Sequence, residues 1–411
     1  PIHLVAILNP MSKTIPMSRR ALLRGFGAVA LGLLAAPALG RAVSATTTGA
    51  RWPVFRGDLA HCAFTPGKGA LASPRIKWAF GTRELVECSP AMADVNGDGR
   101  LEAVVGSHDK HVYALNAQSG GELWRFATDD WVFASPALGD VDGDGALEAV
   151  VGSHDQQVYC LDGRNGALKW AAATRFRVMS SALIADVDGD GAAEVVVGSD
   201  KLYCLNGRTG AVKWAFQPGF PVTSSPAWGD VNGDGFGEIV FGALDNQVYA
   251  LGGDGRRVWQ FNAFGEVESS PTLADLDGDR VVEVVFGAAK RGVYALAGNT
   301  GQQKWLFPQA TQQTDERRIH SSPAVADVNG DGRLEVVIGT NERRVYGLSA
   351  TGQRLWQYDG SRFFESSPAI ADLDGDGRLE AVIGAHDGKL HLLDAATGQL
   401  KWAFSVPAGG I

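Results

Sequence analysis

Asp140-Val141-Asp142-Gly143-Asp144-Gly145-Ala146-Leu147-Glu148 is an acidic phrase with carboxylates at its first, third, fifth and ninth places and glycines at the fourth and sixth. Variants of it begin at Asp94, Asp140, Asp186, Asp230, Asp275, Asp327 and Asp372, at steps of 46, 46, 44, 45, 52 and 45 residues. The flanks repeat as well. Ser135-Pro136-Ala137-Leu138-Gly139 enters the phrase, and Ala149-Val150-Val151-Gly152 leaves it as a short apolar run. A turn at Ser153-His154-Asp155 leads to the alternating run Gln157-Val158-Tyr159-Cys160-Leu161, and a second turn leads to Leu168-Lys169-Trp170-Ala171. Period-two runs bounded by Gly and Asp read as strands and hairpins. Four short strands in about 45 residues make one propeller blade. The expected fold is all-β, a seven-bladed β-propeller of four-stranded antiparallel blades.

Residues 1–45 stand apart from the repeats. Ser18-Arg19-Arg20-Ala21-Leu22-Leu23-Arg24 precedes an Ala/Gly/Leu-rich stretch, and Val43-Ser44-Ala45 suits signal-peptidase cleavage. This resembles a twin-arginine export signal, which implies a periplasmic or extracellular protein; residues 1–16 read as an upstream extension without structural meaning. Residues 46–80 read as an N-terminal closing segment, and 81–411 as the repeats. Trp78 marks an eighth tryptophan strand, so the closing segment either adds a strand to the last blade, removing an open edge, or builds a degenerate eighth blade. No bilayer span is expected in the mature chain, the leader's apolar run falling short of about 20 residues.

Five of the 37 basic residues and none of the 46 acidic ones lie in the leader, which leaves 32 basic against 46 acidic residues. The seven phrases hold 25 of those 46 carboxylates. The acidity is therefore concentrated in seven small places, where it would repel itself without cations. Cys160 and Cys204 occupy strand positions that hold Ala114, Ala250 and Ala295 in other repeats and read as small buried residues. Cys62 and Cys88 could pair in an oxidising compartment.

The spacing of the acidic phrase curls oxygen donors around one ion, with the backbone carbonyl of the seventh place as a further donor. The candidate ligand sets are Asp94, Asn96, Asp98, Arg100 and Glu102; Asp140, Asp142, Asp144, Ala146 and Glu148; Asp186, Asp188, Asp190, Ala192 and Glu194; Asp230, Asn232, Asp234, Phe236 and Glu238; Asp275, Asp277, Asp279, Val281 and Glu283; Asp327, Asn329, Asp331, Arg333 and Glu335; and Asp372, Asp374, Asp376, Arg378 and Glu380. Oxygen donors without His or Cys select a hard cation, and Ca2+ fits such a cage best. The phrase resembles the FG-GAP repeats of integrin α-subunit propellers, which implies up to seven Ca2+ sites on one face. The loop at Asp275 is expected to be the weakest, since Arg280 replaces a glycine and brings a cation beside the ligands.

Trp124, Trp170, Trp214, Trp259, Trp305, Trp356 and Trp402 recur once per repeat after turns such as Asn116-Ala117-Gln118-Ser119-Gly120. They resemble the tryptophan-docking motif of quinoprotein-type (PQQ-like) propellers, which implies packing between blades rather than a bound quinone. The connections between blades differ from repeat to repeat. They offer a possible ligand face of Trp131, Phe133, Arg175, Arg177, Phe220, Phe264, His320, Arg362 and Phe363, with an insertion at 309–319. Aromatic and basic groups around a central opening could stack on sugars or pair with anions. No nucleophile elbow, phosphate loop or zinc-protease motif is present, and dispersed basic residues argue against nucleic acid. The expected function is a non-enzymatic, calcium-binding scaffold for a protein or polysaccharide partner. The alternatives are a carbohydrate-active enzyme resembling polysaccharide lyases and a quinone-dependent dehydrogenase.

Overall fold

The structure, a computed structural model, describes residues 4–8, 55–69, 73–308 and 318–405. The stretch expected to be an export signal with its cleavage site, and residues 309–317 of the insertion expected at 309–319, lie outside them. Among the described residues no helix is long and apolar enough to cross a membrane.

Each acidic phrase joins the first and second strands of a four-stranded antiparallel sheet. Blade 1 consists of Ala91–Ala93, Glu102–Ser107, His111–Asn116 and Glu122–Ala127; blade 7 consists of Ala369–Asp372, Glu380–Ala385, Lys389–Asp394 and Leu400–Ser405. Five like sheets lie between them, so the expected seven-bladed propeller is what forms. Second strands such as Glu102–Ser107 are buried along their whole length, whereas the fourth strand Glu122–Ala127 alternates between exposed and buried. A second strand lies between two neighbouring blades, which is why it reads as an unbroken apolar run.

The blades meet through the recurring tryptophans. Trp124 of blade 1 shares a buried cluster with Val151, Tyr159 and Leu161 of blade 2. Its indole N–H donates to Gly163 O at 2.8 Å, and its ring lies over Gly166, where a Cβ would come within 2.7 Å. Cys160 and Cys204 are fully buried, as expected, but Cys62 and Cys88 are both free thiols. Cys62 Sγ donates to Leu273 O and Cys88 Sγ to Gly106 O, so each belongs to a different local packing site.

The closing segment does more than seal an edge. Phe64–Lys68 adds a parallel strand to the inner edge of blade 7. Ahead of it, the carbonyls of Leu59, Ala60, Cys62 and Ala63 accept the backbone N–H of Trp228, Leu273, Val325 and Ile370, on the innermost strands of blades 4 to 7. Those three- and four-residue strands leave donors facing the axis, and the segment satisfies them. Trp78, on Ile76–Gly81, takes the tryptophan dock of blade 1, donating to Ala117 O at 3.1 Å. Met92 and Ala103 of blade 1 nevertheless share a core with blade 7. The ring thus closes between seven sheets, and Ile76–Gly81 is an extra outer strand at the seam rather than an eighth blade. Leu4–Leu8, excluded from the fold on sequence grounds, pairs parallel with Ile76–Gly81, an edge that no blade strand occupies.

His61, in this axial segment, donates Nδ1–H to Pro271 O at 3.1 Å. Burial, aided by the nearby Arg56 charge, pulls its pKa down to about 3. A depressed imidazole means the unfolded chain binds the extra proton first. Stability is then present above the unfolded pKa near 6.5 and is lost as pH falls towards 3, at up to roughly 1.4 kcal/mol per pH unit. Melting temperatures of wild type and His61→Gln should diverge at neutral pH and converge on acidification; parallel curves would rule this out.

Candidate metal centres and the loop face

All seven acidic loops share one backbone frame. In the first, Asp94 accepts the N–H of Gly97, Asp98 and Gly99 at 2.7, 3.1 and 2.8 Å. Asp98 accepts Arg100 N–H, and Glu102 Oε2 accepts Val95 N–H at 3.1 Å. The first-place Asp thus folds the loop by itself, as an Asx turn does. The second-place residues, Val95, Val141, Val187, Val231, Leu276, Val328 and Leu373, are all buried as anchors. So is every ninth-place Glu, at 3% exposure or less. Arg280 does adopt positive φ, +71°, in place of the usual glycine, a conformation that costs a non-glycine residue of order 1–3 kcal/mol.

At the centre of the loops the structure adds a group that the sequence reading did not use. In blades 2, 3, 5 and 7 a lysine preceding the tryptophan reaches back into the acidic loop. Lys169 Nζ lies 2.5 Å from Asp142 and 2.7 Å from Glu148. Lys213, Lys304 and Lys401 make the same pairs with Asp188 and Glu194, Asp277 and Glu283, and Asp374 and Glu380, all at 2.5–3.0 Å. These are the four loops in which three acidic side chains place oxygens within 4.8 Å of one another. Burial opposes the charge on these lysines, but the carboxylate hydrogen bonds hold them well above their ordinary pKa.

Blades 1, 4 and 6 have Asn at the third place and Leu123, Val258 or Leu355 where the lysine would be. In blade 4, Asn232 Nδ2 donates to Asp234 at 3.0 Å and to Glu238 Oε1 at 2.8 Å; in blade 6, Asn329 donates to Asp331 and Glu335 at 3.1 Å each. In blade 1, Glu102 Oε1 has no partner although Glu102 is fully buried. Burial and the neighbouring Asp charges push Glu102, Glu238 and Glu335 up to about 7. An orphaned carboxylate oxygen in an oxygen-only cage suits a hard cation. The pairing of third-place Asp with lysine was visible in the sequence: Asp142, Asp188, Asp277 and Asp374 stand in the repeats that carry Lys-Trp.

The opposite face carries the connections between blades. Trp131, Phe220, Phe264 and Phe363 are exposed there by 36–63%. Trp131 stacks on His108 with centroids 4.6 Å apart, Phe133 lies 5.8 Å from His154, and Phe363 meets His386 edge-on. Arg291 lies over Phe264. Arg175, Arg177 and Arg362 are exposed, whereas Phe364 is fully buried in the core.

At the axis, Phe133 and His320 of the expected ligand face line the opening. A cavity of about 140 Å³ is lined by Phe55 and Phe133 together with the acids Glu87, Glu268 and Glu365. Its wall is a ring of serines. The backbone N–H of Ser89, Ser135, Ser181, Ser225, Ser270 and Ser322 each donates to the hydroxyl of the next blade's serine, ending at Ser367. His320 bonds Glu268 at 3.0 Å, His386 bonds Glu365 at 2.9 Å, and His108 lies 3.0 Å from Glu87 out of hydrogen-bond alignment. The serine recurring at the start of each repeat, followed by Pro in six of the seven and by Ala182 in the third, was the sequence signal for this ring. The wall does not fit pyrroloquinoline quinone. Three carboxylates face the cavity, none of its described lining residues is Lys or Arg, and the quinone is itself a tricarboxylate, so like charges oppose it.

A family profile described as outer membrane protein assembly factor BamB matches residues 78–234, 229–376 and 330–410. Among solved structures the chain is similar to BamB from Moraxella catarrhalis, at 18% identity and a TM-score of 0.56 over 74% of this chain and 83% of that one. It is similar to a europium-containing methanol dehydrogenase at 13% identity and a TM-score of 0.66, over 87% and 85% of the two chains. It also matches the computationally designed Ika8 protein at 19% identity and a TM-score of 0.52, over 74% and 83%. These identities establish a shared fold alone. No curated protein matches the chain.

Proposed function

The chain belongs to the family described as outer membrane protein assembly factor BamB, and from that premise we propose that it is an exported, non-catalytic scaffold that binds a protein partner through its loop face. The observation that carries this reading is the asymmetry of the disc. The acidic-loop face repeats one backbone frame seven times, whereas the opposite face exposes Trp131, Phe220, Phe264 and Phe363 around an axial cavity. Exposed aromatic rings held by a rigid scaffold are common anchors of protein interfaces. The BamB family description supports a place at the cell envelope, and the twin-arginine-like leader supports export. In this reading the acidic loops are structural, with Ca2+ as their ion.

At the axial cavity the acids Glu268 and Glu365 are bonded to the imidazoles of His320 and His386. A polysaccharide partner would meet the same rings by stacking. A photo-crosslinking amino acid at Phe220, on the loop face, is expected to capture protein in the cell envelope. The same group at Phe236, which is 74% exposed on the acidic-loop face, is expected to capture little. Equal labelling from both positions, or turnover of a polysaccharide by the purified chain, would overturn the proposal.

A further inference from the structure

Six of the seven acidic loops contain their own counter-group, and the seventh does not. The oxygen that tells them apart is Oε1 of the ninth-place Glu. In blades 2, 3, 5 and 7 it accepts a lysine ammonium at 2.5–2.8 Å. In blades 4 and 6 it accepts an asparagine amide at 2.8 and 3.1 Å. In blade 1 it accepts nothing, although Glu102 is 0% exposed and Asp94 and Asp98 stand in the same loop. The strand that supplies the lysine elsewhere offers Leu123, in the same register: Ala114 faces Trp124 as Cys160 faces Trp170.

We propose that loop 94–102 is the highest-affinity divalent-cation site of the disc, and that Lys169, Lys213, Lys304 and Lys401 are built-in substitutes for the ion in their own loops. The inference rests on the cation reading of these loops and specifies where that reading applies. An ammonium bonded to the third- and ninth-place carboxylates occupies the ground a metal would need. A divalent ion entering such a loop must first expel a like charge. In blades 4 and 6 the amide must rotate away, giving up two hydrogen bonds, before its oxygen can serve as a ligand. In blade 1 a buried carboxyl oxygen waits unpaired, an arrangement that is costly unless a cation or donor completes it. Asp, Asn and Glu oxygens with no nitrogen or sulfur donor select a hard ion, and an irregular loop of this kind suits Ca2+ better than Mg2+. The one other orphaned carboxylate oxygen in the loops, Asp186 Oδ1, belongs to a half-buried residue whose loop already holds Lys213.

Calorimetric titration of the metal-stripped full chain with CaCl2, with terbium luminescence as a second readout, tests this. One equivalent should bind well ahead of any other. Glu102→Gln, which keeps an acceptor for Val95 N–H, should weaken that step at least 30-fold. Leu123→Lys should abolish it without loss of fold, since Leu123 is 45% exposed on an outer strand. Lys169→Leu should open a second strong site. Equal uptake at three or seven sites, or a first step indifferent to Glu102→Gln and Leu123→Lys, overturns the assignment to blade 1 while leaving the cation reading standing. No uptake by folded wild type or by Lys169→Leu overturns both.

Discussion

Replacing Arg56 with Ala is expected to cost roughly 3–5 kcal/mol, the largest loss from any single side chain of the axial segment. Arg56 is only 4% exposed and donates to three backbone carbonyls: Pro323 O, Pro368 O at 3.2 Å and His61 O at 3.3 Å. Two of these belong to separate blades and the third to its own segment, so one guanidinium ties the chain start to blades 6 and 7. Burial lowers its pKa to about 9, yet it remains charged at neutral pH. Its truncation takes the guanidinium from Pro368 O and leaves Pro323 O and His61 O to share the single Thr272 hydroxyl, at about 1–3 kcal/mol for each carbonyl left without a donor, beside an emptied volume. Arg56→Lys should recover part of the loss, because a single ammonium cannot reproduce the planar fork. Urea unfolding of both variants gives the comparison. A loss below about 1 kcal/mol for Arg56→Ala would mean that water reaches these carbonyls and that the axial segment is not a structural plug.

Gly210→Ala is expected to be nearly as damaging, at about 3 kcal/mol, while Gly191→Ala costs about 1. Both glycines have positive φ, +71° and +88°, so both substitutions carry the strain of a left-handed residue. The difference is what a methyl group meets. At Gly210 it would lie 2.6 Å from the Trp170 ring, whereas at Gly191 nothing lies within 4 Å. Trp170 also donates its indole N–H to Gly207 O at 2.7 Å. Pushing the ring away therefore loses a buried hydrogen bond and opens the seam between blades 2 and 3. Equal losses for the two variants would show that backbone strain, not docking, explains the glycine.

The blade count was legible because a propeller repeats its sequence with its structure. Tryptophan, the glycine under it and the acidic phrase recur at one step, and each is local to one hairpin or one seam. The second-place valines and leucines declared their burial by the same regularity. What escaped was long-range. That Trp78 docks on blade 1 while Met92 packs towards blade 7 depends on the order in which the ring closes. The axial cavity is lined by residues from every blade, two or three apiece, so no segment shows by itself that serines and glutamates converge there. Lys169 is 21 residues from Glu148, and only the hairpin order of the blade brings the two together.

The chain by itself determined that seven acidic loops exist, because their turn chemistry is written in neighbouring residues. The tertiary structure decided what fills them. Strand pairing sets an ammonium in four loops, an amide of the loop itself serves in two, and in blade 1 the ninth-place Glu oxygen stays bare, since the ammonium arrives from a different strand of the blade and electrostatic compensation depends on distance in space rather than along the backbone.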